Sequence, residues 1–123
     1  MTDQYTKASP SLHKEISHQL KLILASPDFN ATPQQIALLK YVVNQTLAGK
    51  SRDIEDETIA ADVFSRGPNF DQRIDPIVSI QADQLRRALV RYYETTGTND
   101  PIRIDIPKGT YVPMFKKRKL NGP

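Results

Sequence analysis

The sequence predicts a mainly α-helical domain that ends in a small β-hairpin, an α+β architecture. Up to residue 97, apolar side chains recur every three or four positions in four stretches, as on amphipathic helices. From residue 102 they alternate with polar ones, the pattern of a half-buried strand. The 123 residues suffice for one domain. We expect it at residues 9–115, between a flexible lead at 1–8 and a basic flexible tail at 116–123.

The first predicted helix, residues 9–26, is expected to support the rest of the domain, and a role as a dimerisation arm stays open. Ser9 is a suitable N-cap, and Pro10 suits the first helical position, where its missing N–H costs nothing. One apolar stripe follows: Leu12, Ile16, Leu20, Ile23 and Leu24.

The second helix, predicted at 33–48, has the clearest start signal. Thr32, Pro33 and Gln35 form the pattern of a capping box, in which the N-cap and the third helical residue satisfy each other's amides. Gly49 suits the C-terminal end of the helix. The apolar stripe is Ile36, Leu39, Val43 and Leu47.

A third, shorter helix is predicted at 57–66. Its apolar residues form two pairs four positions apart, and a loop begins at Gly67, where glycine and proline break the helix. The pairs are Ile59 with Val63 and Ala60 with Phe64.

The fourth helix is predicted at 75–96, with Asp75 as its cap and Pro76 in the first turn. Its sequence alternates apolar and basic residues at helical spacing. The buried stripe is expected to be Val78, Ala82, Leu85, Leu89 and Tyr92.

A β-hairpin is predicted at 102–115. Its first strand alternates isoleucine with charged residues from Ile102 to Ile106. A four-residue turn, PKGT, follows, and Pro113 marks the second strand, YVPMF, as an edge strand. Helices followed by such a hairpin are the layout of a winged helix-turn-helix, in which the last helix enters the DNA major groove and the hairpin, or wing, contacts the backbone or minor groove.

Charge is distributed unevenly along the chain. Residues 1–75 contain eight basic and ten acidic residues, whereas residues 76–123 contain nine basic and four acidic ones. This distribution favours one electropositive face. The predicted tail accounts for part of it, through Lys116, Lys117, Arg118 and Lys119.

The side of the fourth helix opposite the buried stripe is the candidate DNA-binding surface. Ile80 suits a thymine methyl group and Ser79 a base edge. The remaining candidates are Asp83 and Gln84 for base edges, and Arg86, Arg87 and Arg91 for phosphates.

An ordinary solvent-exposed helix face explains the same pattern. Asp83 and Arg87 are four positions apart, the spacing of a surface ion pair. Arg91 and Glu94 could form an ion pair likewise. In that interpretation Ile80 covers the third helix.

The predicted wing adds positive charge next to this helix, through Arg103 and Lys108. Gly109 would let the tip approach a DNA backbone closely. Tyr111 suits either a core ring at the base of the wing or a phosphate contact through its hydroxyl.

The motif LRRAL at 85–89, followed by an isoleucine-rich strand and PKGTYVPMF, resembles the DNA-binding domain of OmpR-type winged-helix regulators. A closer resemblance is to a bacterial group of winged-helix domains found at the N-terminus of regulators with TPR or sensor regions. The resemblance covers about residues 20–115, through ILASPDF, LLKYVVNQTLAGK, ETIAADVFSR, FDQRIDPIVSIQADQLRRALVRYYETTG and DPIRIDIPKGTYVPMF.

The resemblance implies a set of DNA-contacting positions. Ile80, Asp83, Gln84, Arg86 and Arg87 match the recognition helix, and Arg103, Lys108, Gly109 and Thr110 match the wing. The chain departs from the group by lacking arginine at Ser79 and at Gln84, where it is common, and glutamate at Gln81. Fewer positive charges imply weaker phosphate attraction or a different site preference.

No feature of the sequence predicts an enzyme, a cofactor or a metal site. The chain has no cysteine and no glycine-rich phosphate loop, and His13 and His18 do not align on one helix face. We expect a cytoplasmic, nucleoid-associated protein, because the first residues lack a signal-peptide core and no apolar run could span a membrane.

The sequence therefore predicts a regulator of transcription that binds double-stranded DNA at specific sites, as a homodimer or in tandem copies. Two alternatives stay open. One is a protein-interaction module on the same fold, acting on another regulator. The other is an architectural protein that binds DNA without sequence preference.

Overall fold

The computed structural model describes residues 10–118, a mainly helical chain that ends in a two-stranded antiparallel hairpin, as the sequence predicts. The predicted lead, the cap at Ser9 and residues 119–123 of the predicted tail lie outside the described residues. The helices are α1 (Pro10–Ala25), α2 (Pro33–Leu47), α3 (Asp56–Asp62) and α4 (Ile77–Glu94), with a short 3₁₀ helix at Ser51–Asp53, and the strands are β1 (Ile102–Asp105) and β2 (Met114–Lys117).

Helix α4 lies at the centre of the fold, where it packs against α2, α3 and β1. Helix α1 packs against α2 and β1. The buried stripe predicted for α4 is confirmed, because no side chain in it is more than 1% exposed: Val78, Ala82, Leu85, Leu89 and Tyr92. Burial of this stripe fixes which side of α4 faces solvent.

The capping box predicted for α2 is confirmed. The Gln35 amide donates to Thr32 Oγ1 over 3.2 Å, and the Thr32 amide donates to Gln35 Oε1 over 3.1 Å. Pro33 occupies the first turn, where no intrahelical partner exists for an N–H. Two otherwise unpaired amides at the start of α2 are therefore satisfied by one residue pair.

Helix α3 ends earlier than predicted, at Asp62 and not at residue 66. The cause is a reversal of the chain at Ser65, which adopts the left-handed conformation with φ 55°. The Arg66 amide then donates back to the Ala60 carbonyl over 2.8 Å, which closes the C-terminal end of the helix.

The predicted start of α4 is wrong by two residues. The helix begins at Ile77, Pro76 occupies the N-cap position, and no side chain caps the end. Asp75, predicted as the cap, instead accepts from Arg66 Nε over 2.7 Å. This ion pair closes the segment 63–76, which connects α3 to α4.

The hairpin has a longer loop than predicted. Asp105 pairs with Met114 and Ile102 with Lys117, so the loop spans 106–113. Pro113 has no N–H with which to extend the ladder. Lys116 and Lys117, expected in a flexible tail, lie in β2, and the Arg118 amide donates to the Pro101 carbonyl over 2.7 Å.

Tyr93 attaches β1 to α4. Its hydroxyl donates to the Ile102 carbonyl over 2.8 Å and accepts from the Ile104 amide over 3.0 Å. Burial raises the pKa of this hydroxyl. The hydroxyl thereby satisfies backbone groups on the side of β1 away from β2 and holds the hairpin against the helix.

Candidate nucleic-acid interface

Four residues form an exposed line along α4, which we call the outer ridge: Ile80, Gln84, Arg87 and Arg91. Their spacing follows the 3.6-residue helical repeat, and they lie opposite the buried stripe. Ile80 keeps 47% of its surface exposed. About half of the Ile80 side chain is therefore available to a partner.

Arg87 and Arg91 are exposed, and within residues 10–118 neither forms an ion pair. The alternative pair of Asp83 with Arg87 is not formed, because the Asp83 carboxylate accepts from Arg86 Nη1 over 2.5 Å. Two cationic side chains of the ridge are thus available to an anionic partner.

Arg86, expected at a phosphate, points towards the hairpin loop, and only 14% of its side chain is exposed. Its Nε donates to the Ile106 carbonyl over 2.9 Å, and its Nη2 donates to the carbonyl of Thr110 over 2.7 Å and more weakly to that of Pro107. The guanidinium holds the first part of the loop, residues 106–110, against α4. We therefore assign Arg86 to positioning of the loop, and Asp83 to its support.

The tip of the hairpin loop is exposed at Lys108 and Gly109, next to the Arg86 anchor. The backbone at Gly109 has φ +89°, a conformation that favours glycine. The Thr110 hydroxyl accepts from the Val112 amide over 3.1 Å. Lys108 is thus the cation that the loop presents to solvent.

Arg103, predicted as a wing contact, is only partly exposed. Its Nε donates to both carboxylate oxygens of Asp105 over 3.1 Å, and its guanidinium lies 4.9 Å from the centre of the Tyr93 ring. The structure places it at the base of the hairpin, beside α4, and not at the tip.

The first turn of α4 contributes less polar surface than expected. The Ser79 hydroxyl donates to the Pro76 carbonyl over 3.2 Å, so its hydrogen is already bonded within the first turn and does not point to a partner. Ile80 is the exposed residue at this end of the helix.

Gln35, which the sequence indicated only as a capping residue, connects α2 to the ridge. Its side chain is buried, and its Nε2 donates to Gln84 Oε1 over 2.6 Å and to Gln81 Oε1 over 3.0 Å. The capping-box pattern in the sequence located this residue, but no local signal pointed to its partners 46 and 49 positions away.

A cleft lies between the start of α2 and the ridge, lined by Thr32, Gln35, Gln84, Arg87 and Arg91 among others. The first turn of α2 contains no acidic residue. The partial positive charge of a helix N-terminus and two arginines therefore face the same cleft, an arrangement that attracts anions.

The hairpin loop borders a second cleft, which is acidic. This cleft lies between α3, the α3–α4 connection and the loop, and it is lined by Glu55, Asp56, Glu57 and Asp71. Tyr111 borders it, packed partly against the core, and burial together with the Asp56 carboxylate raises the pKa of its hydroxyl. Tyr111 is therefore a packed ring at the base of the loop, the first of its two predicted roles.

Within the described part of the chain, no three histidine, cysteine or acidic side chains are placed to share a metal ion. Nor is any helix between residues 10 and 118 long and apolar enough to cross a membrane. No known protein-family model matches the chain, and comparisons with curated proteins and with solved structures gave no match either.

Proposed function

We propose that this protein is a sequence-specific, double-stranded-DNA-binding regulator of transcription with a winged helix-turn-helix fold. Helix α4 would enter the major groove with its outer ridge, and the hairpin would contact the neighbouring backbone or minor groove. The observation that carries the proposal is the exposed ridge, whose two arginines form no ion pair within residues 10–118, flanked by a loop that carries Lys108 and that Arg86 holds in place.

The dimensions and chemistry of the ridge suit a groove. An α-helix with its side chains is about 10–12 Å wide, close to the roughly 12 Å width of the major groove. Ile80 and Gln84 lie in the first half of α4 and would contact base edges. Arg87 and Arg91 follow and would contact phosphates.

The cleft at the start of α2 offers a place for one backbone phosphate. A phosphate there would face the helix N-terminus and the two ridge arginines, which favour negative charge for independent reasons. Lys108 would contact the backbone on the other side of the groove. These contacts carry little sequence information but set the register of α4 on the duplex.

The element order and the resemblance to OmpR-type domains support the winged-helix interpretation. The connection between α3 and α4 at residues 63–76 is much longer than the three- or four-residue turn typical of helix-turn-helix motifs. The Arg66–Asp75 ion pair brings the ends of this connection together. One module of this size buries only about 600–1,000 Å² on DNA, so we propose binding as a homodimer or in tandem.

The test is selection of genomic fragments at physiological salt, followed by affinity measurements on the selected duplex. We expect Arg87→Ala combined with Arg91→Ala to weaken binding by roughly tenfold or more at low salt, because two phosphate contacts are lost. Arg52→Ala is the matched control, since Arg52 is exposed at the far end of α2 from the cleft.

Selection of one sequence motif supports a specific regulator. Enrichment without a motif would point to an architectural DNA binder. Equal binding by the double variant and the wild type would contradict the assignment of the ridge.

A second candidate function is a protein-interaction module that acts on another regulator. The observation that favours it is exposed apolar surface at the start of α4, where Ile74 is 81% and Ile80 47% exposed. If fragment selection recovers nothing and Ile74→Asp abolishes capture of a defined regulator protein, this candidate replaces the first.

A further inference from the structure

The orientation of the buried Gln35 amide is determined by its surroundings. The Thr32 backbone amide donates to it over 3.1 Å, and a backbone N–H can only donate. The atom that faces Thr32 is therefore the Gln35 oxygen, Oε1, and its nitrogen, Nε2, faces α4.

The Gln35 nitrogen in turn determines the orientation of two glutamines on α4. It carries two hydrogens, one of which is donated to Gln81 over 3.0 Å and the other to Gln84 over 2.6 Å. Both partners must turn their oxygens inward. The Gln84 nitrogen then points away from Gln35, and within residues 10–118 it has no hydrogen-bond partner.

We propose that Gln35 is a positioning residue that makes Gln84 a hydrogen-bond donor towards the DNA, so that the ridge selects guanine and disfavours adenine at one base position. This inference rests on the proposed DNA-binding function. It adds that a buried residue outside the groove determines which base is preferred.

The chemistry of the base edges supports this preference. A freely rotating glutamine binds adenine by donating to N7 and accepting from the N6 amino group. With its oxygen turned towards Gln35, Gln84 retains the donors and loses the outward acceptor. Guanine offers the acceptors N7 and O6 side by side, so donors alone can bind it.

The arrangement resists rotation of Gln84. Gln35 is only 3% exposed, and turning the Gln84 amide over would place two nitrogens against each other. A buried donor would then lose its acceptor, which is strongly unfavourable. The donor face of Gln84 is thus set before the DNA arrives.

The decisive variant is Gln35→Glu. A carboxylate there can still accept from the Thr32 amide, since glutamate is a standard third residue of a capping box, so we expect α2 to keep its start. Towards α4 a carboxylate offers only acceptors. Gln84 and Gln81 would therefore turn their nitrogens inward, and Gln84 would present its oxygen to the groove.

The measurement is the base preference at each position in a selection from randomised duplexes. For wild type we expect guanine at the Gln84 position by roughly fivefold over adenine, the effect of about one hydrogen bond. For Gln35→Glu we expect the preference to move to adenine or cytosine, which carry amino groups, while the other positions of the motif stay unchanged.

Two variants of the exposed residue Gln84 serve as controls. Gln84→Ala should remove the preference at this position, and adding Gln35→Glu to it should change nothing further. Gln84→Arg, which can only donate, should keep guanine whether or not Gln35 is replaced.

Failure of the inference and failure of the proposed function are distinguishable. If the wild type selects a motif with guanine at the Gln84 position and Gln35→Glu leaves that preference unchanged, the inference alone is overturned. If the wild type selects no motif, the sequence-specific function fails and the inference fails with it. Circular dichroism of Gln35→Glu should match that of the wild type. If the variant is unfolded, Gln35→Met replaces it: a shift of the preference towards adenine supports the inference, because Gln84 is then free to rotate, and an unchanged guanine preference overturns it.

Discussion

The guanidinium of Arg86 on α4 donates to the backbone carbonyl of Thr110 in the hairpin loop over 2.7 Å. The same group also contacts the Ile106 carbonyl and the Asp83 carboxylate. A charged side chain that is largely buried and hydrogen-bonded to several carbonyls stabilises the position of a loop more than a surface ion pair does. The hairpin loop therefore has a defined position relative to the outer ridge before any partner binds.

Arg86→Met should destabilise the protein by about 2–3 kcal/mol, because the loop carbonyls and Asp83 lose a charged donor while the apolar stem of the side chain is kept. Urea unfolding measures this change. Arg87→Met, one position along on the exposed face, should change the unfolding free energy by less than about 0.5 kcal/mol. Equal effects of the two variants would mean that Arg86 does not hold the loop.

Tyr93→Phe should destabilise the protein by about 1–3 kcal/mol, since it leaves the buried Ile104 amide without an acceptor and the Ile102 carbonyl without a donor. Tyr41→Phe is the matched control, because the Tyr41 hydroxyl donates to Asp62 at an exposed position. We expect a loss below about 1 kcal/mol for the control in the same unfolding measurement. Similar losses would contradict the bridging role of Tyr93.

Stability should fall in alkaline solution because burial raises the pKa of the Tyr93 hydroxyl above its ordinary value of 10.0. Above pH 10 the unfolded chain releases this proton while the folded chain retains it. The unfolding free energy should then decrease by up to about 1.4 kcal/mol per pH unit until the folded-state pKa is reached. Unfolding of wild type and Tyr93→Phe between pH 9 and pH 11 measures the difference, and the variant should show the smaller slope.

Gly97→Ala should destabilise the protein by about 1–3 kcal/mol, because a methyl group there would overlap the ring of Tyr92. That ring is buried and its hydroxyl donates to Asp100, so it has little freedom to move away. Gly67→Ala meets open space and should be neutral or stabilise by up to about 1 kcal/mol. Thermal unfolding of both variants tests the pair, and a tolerated Gly97→Ala would show that the Tyr92 ring can shift.

The dependence of DNA affinity on salt should reveal the phosphate contacts of the ridge. Replacing Arg87 and Arg91 with alanine should reduce the slope of log affinity against log salt by about 1.8, since each phosphate contact contributes roughly 0.9. Arg52→Ala should leave the slope unchanged. An unaltered slope in the double variant would mean that these arginines do not contact phosphates.

The helices, the hairpin and the buried stripe of α4 could be predicted because they depend on short-range features of the chain. The stripe follows from the helical repeat, and the start of α2 from Thr32 and Gln35, which cap each other, with Pro33 between them in the first turn. The end of α3 was wrong because the chain reverses at Ser65, and the start of α4 was wrong because Asp75 pairs with Arg66 and does not cap the helix.

The roles of individual residues at the site depended on the packing of whole elements. Arg86 and Arg87 are neighbours in the sequence, yet about 100° of helical rotation places one against the hairpin loop and the other in solvent. The sequence by itself determined which face of α4 is apolar and which carries charge. Only the tertiary structure decided that Arg86 anchors the loop and that Gln35 orients Gln84, because these hydrogen bonds join elements that meet in space and not along the chain.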